Sequence, residues 1–108
     1  MPPAPLNDAA SAFLRAVRAS FSSLVGFALE EIRTRAWASV TFSGARHELA
    51  FRIEGEGAEA EAARFLDGLD AREFELRGHI VADIGLVEEE RAPGCARIRI
   101  EALTVEDA

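Results

Sequence analysis

"SFSSLVGFALEEIRTR", residues 20–35, decides between two folds. With a period of 3.6, Leu24, Val25, Ala28, Leu29 and Ile32 extend a helical stripe; with a period of two, Val25, Phe27 and Leu29 share one face of a strand. Upstream, Asn7 is a good N-cap and Asp8 suits the positive end of a helix dipole. Ala10, Phe13, Leu14, Val17 and Phe21 then recur at helical spacing, which predicts an amphipathic helix over 8–20. Continued to residue 33, that helix would be about 39 Å long, against a radius of gyration of about 13 Å for a domain of this size. Length, and the break offered by Ser20, Ser22, Ser23 and Gly26, favour a short strand at about 26–32. A continued or second helix is the alternative.

Residues 36–53, "AWASVTFSGARHELAFRI", alternate in the manner of a hairpin. A two-residue turn at Gly44-Ala45 sets Phe42 opposite His47, Val40 opposite Leu49, Ala38 opposite Phe51 and Ala36 opposite Ile53, all on one face. On the other face Trp37 then meets Arg52, an expected cation–π pair. Ala58, Ala62, Phe65, Leu66 and Leu69 form the stripe of a second helix, with Gly68 as its stop. A second hairpin follows. Pairing Leu86 with Ile100 and Ile84 with Ala102 puts both apolar sets on one face if Arg91 to Cys95 form the loop, and Glu89 then faces Arg97. Leu103 and Val105 fall out of phase, which predicts a bulge near Ala102 or a second, partly buried face.

The 108 residues suggest one domain, residues 7–108, behind a flexible Pro-rich tail at 1–6. No apolar run reaches the roughly 18 residues of a membrane span. The start lacks the basic flank and apolar stretch of a secretory signal, and the single Cys95 allows no internal disulfide. A soluble, cytoplasmic protein is expected. The net charge is −7 and all twelve basic residues are Arg, a composition that suggests a GC-rich bacterial genome. An acidic chain without a basic block argues against nucleic-acid binding.

The candidate chemical groups are few. His47, at the edge of an apolar face, could serve as a general base in a pocket mouth, but spacing shows no partner, so a structural histidine is the simpler reading. His79 and Asp83 would align on a helix; on a strand they stand about 13 Å apart, on a solvated face with Gly85, Glu89 and Arg97. No third metal ligand lies at usual spacing. Cys95 sits in a loop with no activating His nearby in sequence, and Glu88, Glu89 and Glu90 alternate between faces of a strand. Gly55-Glu56-Gly57 precedes a helix, but flanking glutamates would repel phosphate and no P-loop Lys follows. Neither a cofactor nor a metal is expected.

The element order α-(β)-ββ-α-ββ predicts an α+β fold. It is a two-layer sandwich, ferredoxin-like or related, whose antiparallel sheet of four or five strands carries two helices on one face. Such a class says nothing specific about function. Trp37, Val81, Val87, Leu103 and Val105 should make the opposite face more apolar than a solvated one. That predicts a non-catalytic binding or interaction module, homodimeric through its sheet, whose ligand and pathway the sequence does not name. The alternative is a small enzyme with a pocket at a subunit interface, using His47 or His79 with a carboxylate such as Asp83.

Overall fold

The computed structural model describes residues 8–107. The tail at 1–6 and the Asn7 cap lie outside the described residues. The elements are α1 (Asp8–Ala19), β1 (Gly26–Ala38), β2 (Ser43–Glu54), α2 (Ala58–Leu66), a 3₁₀ turn (Leu69–Ala71), β3 (His79–Ala92) and β4 (Cys95–Glu106). The strands form one antiparallel sheet in the order β1-β2-β4-β3, and the helices lie on one face, as the element order predicts.

The doubtful stretch is turn and bend over 20–25 and strand from Gly26 on. The short strand expected at 26–32 and the first arm of the predicted hairpin are one thirteen-residue strand, so the sheet has four strands, not five. This moves the first turn. β1 turns at residues 39–42, where Ser39 Oγ accepts from the backbone N–H of Phe42 at 3.0 Å and of Thr41 at 3.3 Å. His47 therefore faces Thr34, not Phe42, and Leu49 faces Ile32, not Val40. Val40 and Phe42 are exposed on the turn rather than in the core. Trp37 stands opposite Gly44, not Arg52.

Burial of alternate residues drives the sheet. His47, Leu49, Phe51 and Ile53 of β2, with Ala96, Ile98, Ile100 and Ala102 of β4, face the helices and are buried. Phe13 and Val17 of α1 and Ala58, Ala62 and Phe65 of α2 close over them. Around Phe51 the rings of Phe27, Phe21 and Phe65 lie at 4.9, 5.5 and 6.0 Å between centroids. Two α2 carboxylates tie loops to this layer. Glu61 accepts from the Ser22 backbone N–H at 2.8 Å and from its hydroxyl at 2.5 Å, and Glu59 accepts from the Gly94 N–H at 2.8 Å.

In the second hairpin Leu86 faces Ile100 and Ile84 faces Ala102, as read from the sequence. The loop is Pro93-Gly94, however, not Arg91 to Cys95, and Glu90 rather than Glu89 faces Arg97. The odd residue needed to bring both apolar sets to one face is a bulge at Val87. A second bulge, at Ala82, lies across from Leu103 and Thr104, so the irregularity expected near Ala102 belongs to β3. β4 itself keeps its alternation to the end, with Thr104 buried and Leu103 and Val105 half-buried on the open face.

Candidate interaction surface

His47 is the one buried histidine, and its position leaves it no free chemistry. Thr34 and Thr104 stand on neighbouring strands, so their hydroxyls meet the two ring nitrogens, each at 2.9 Å. Thr104 Oγ1 also donates to the Ala45 carbonyl at 3.3 Å. A hydroxyl has one proton to give, so Thr104 accepts from Nε2–H, and Nδ1 accepts from Thr34. The ring stacks on Phe13, with centroids 5.6 Å apart. Burial lowers its pKa, and the charge of His79 lowers it further. The imidazole is thus neutral, fully bonded and closed off from solvent.

His79 and Asp83 do not join it. His79 begins β3 opposite Glu106, and its Nδ1–H donates to the Arg77 carbonyl at 3.1 Å. It lines a shallow depression with Asp8, Thr104 and Glu106. Asp83 is exposed beyond the Ala82 bulge, opposite Leu103. Among the described residues no three His, Cys, Asp or Glu side chains converge to hold a metal ion, and no helix is long and apolar enough to cross a membrane.

The open face of the sheet is read best in rows across the four strands. One row is Trp37, Gly44, Val105 and Ile80; the next is Arg35, Arg46, Leu103 and Asp83. Towards the other end the face is a lattice of charge. Glu30, at the β1 bulge, takes Arg52 at 3.3 Å and Arg97 at 3.2 Å, and Arg99 lies 3.7 Å from Glu31. The face expected to be apolar is therefore apolar only at one end. Val81 is not on it; it faces the helices beside buried Thr104 and packs against the core. Trp37 lies over Gly44, its indole Nε1 buried and without a partner among the described residues.

Sequence reasoning allows pairing through an edge strand but does not say which strands form the edges. β1 and β3 end the sheet, and no described strand pairs with their outer sides. Exposed large apolar residues gather there: Leu29 on β1, and Ile80, Leu86 and Val87 on β3. The signal lay in the strand order, which periodicity does not carry.

No family model and no curated protein matches the chain. Among solved structures, the virion of a native gene transfer agent particle contains a chain that superposes with a TM-score of 0.55. The match has 17% identity and covers 99% of this chain and 75% of that one. At that identity the likeness shows the fold.

Proposed function

We propose that the chain is a non-catalytic structural subunit, acting in the cytoplasm, that binds copies of itself through its sheet, in the simplest case as a homodimer. The observation that carries this reading is the pair of unpaired edge strands bearing exposed apolar side chains. An unpaired edge presents free backbone donors and acceptors that can pair with another chain, and the charges on these two edges are of opposite sign at Arg35 and Asp83. The apolar end of the open face, with Trp37, Leu103 and Val105, and Val87 at the bulge supply further surface for a partner. The structural neighbour supports the reading, because that chain is part of a virion particle. The rival, an enzyme with a pocket between subunits, rests on His79 with Asp8, Glu106 or Asp83, since His47 is closed by its two threonines. Light scattering tests the proposal. A mass above the 11.7 kDa of one chain that rises with concentration is expected. A mass of one chain at every concentration would contradict it.

A further inference from the structure

We infer that the copies join head to tail, the outer edge of β3 in one against the outer edge of β1 in the next; this rests on the self-association proposed above. Strand direction permits it. In the order β1-β2-β4-β3, with every neighbour antiparallel, β1 and β3 run oppositely. A second copy with the same face outward therefore continues the antiparallel ladder.

The side chains of the two edges match when the rows run straight on. In the row Trp37–Gly44–Val105–Ile80, the Ile80 of one copy, 52% exposed, comes beside Trp37 of the next. In the row Arg35–Arg46–Leu103–Asp83, an exposed aspartate meets an exposed arginine. On the helix-bearing face the row Ile32–Leu49–Ile100–Leu86 brings Leu86, 47% exposed, beside Ile32. Two apolar contacts on opposite faces thus flank one ion pair.

The bulges set the extent. Val87 and Ala82 interrupt β3, so its matched rows fall in two regular runs, 79–81 and 83–86, against the regular run 31–38 of β1, and Leu76 bridges His79 at the start of the first. One row opposes: Glu88 comes beside Glu31, which Arg33 and Arg99 already neutralise at 2.5 and 3.7 Å. A two-fold pairing of β1 with β1 can also set Glu31 beside Arg35, but it leaves Ile80, Leu86 and Val87 exposed on β3, and a pairing of β3 with β3 leaves Leu29 exposed on β1. A head-to-tail contact leaves one free edge at each end, so it grows into a closed ring or an open filament.

The experiment uses Arg35→Glu and Asp83→Arg in the full chain, followed by sedimentation velocity. Each variant alone should lose self-association by about tenfold or more in Kd, the scale of a broken close charge pair. An equimolar mixture should recover it, since each protein then presents the edge that the other's altered edge needs, and the double variant should recover it too. Recovery also shows that both variants fold. Single variants that associate as the parent does, or a mixture that stays monomeric while the parent associates, would overturn the head-to-tail inference and leave self-association standing. A parent that is itself monomeric would instead overturn the reading beneath it.

Discussion

His47 carries a pH signature. Its pKa is lowered in the folded chain, first by burial and then by the charge of His79. When pH falls below about 6.5, the unfolded chain takes up a proton that the folded chain refuses. Stability is therefore whole above that value and lost as pH falls through it towards the lowered folded value. Glu61 acts in a lower window. The Ser22 hydroxyl and then its backbone N–H hold its pKa below the ordinary 4.5, so its contribution is present above that value and lost as pH falls through the folded one. Denaturant midpoints measured from pH 8 to pH 5 should fall in the parent and flatten in His47→Gln; an equal slope in both would contradict the assignment. Gly44 makes a second test at this scale. A β-carbon built there overlaps the Thr104 carbonyl and lies 3.0 Å from the Trp37 ring. Gly44→Ala should cost about 1–3 kcal/mol, as overpacking does, and an unchanged unfolding midpoint would show that the ring and strand give way.

Among the elements, the two hairpins differ in how far they can be read from residues alone. Phe51→Ala and Ile100→Ala should each cost about 3–5 and 2–5 kcal/mol respectively, because both side chains are buried under the helices. Val40→Ser should stay within about 0.5 kcal/mol, since Val40 is fully exposed on the first turn. Equal losses at Val40 and Phe51 in urea titrations would restore the register with Gly44-Ala45 as the turn. Periodicity of two identified the buried face of β2 and the Leu86–Ile100 and Ile84–Ala102 pairs, but it is blind to where a strand turns. Ala36, Ala38, Val40 and Phe42 alternate straight through the loop. Gly44 looked like turn chemistry, yet it has no positive φ; it is small because Thr104 and Trp37 crowd it. The informative residue was Ser39, whose hydroxyl caps the turn. In the second hairpin the right parity came from the Val87 bulge and not from an odd loop. The closure of His47 was equally out of reach, because Thr34 and Thr104 lie 13 and 57 residues away and meet it only through strand order.

At the scale of the molecule, the sheet outgrows its cover. The strands hold twelve to fourteen residues, whereas the two helices hold twelve and nine. At about 3.4 Å per strand residue and 1.5 Å per helix residue, strand length far exceeds what either helix spans. The result is a flat body of 47 × 39 × 22 Å whose long edges, apart from the Leu76–His79 bridge at the start of β3, pair with no described strand. Hydrogen–deuterium exchange of the parent chain, compared at about 1 and about 100 µM to bracket a micromolar Kd, reports on pairing at the edge strands. Amides in β1 and β3 should gain protection at the higher concentration, while those in α1 and α2 should not change. Exchange that is the same at both concentrations, or protection confined to the helices, would contradict that pairing.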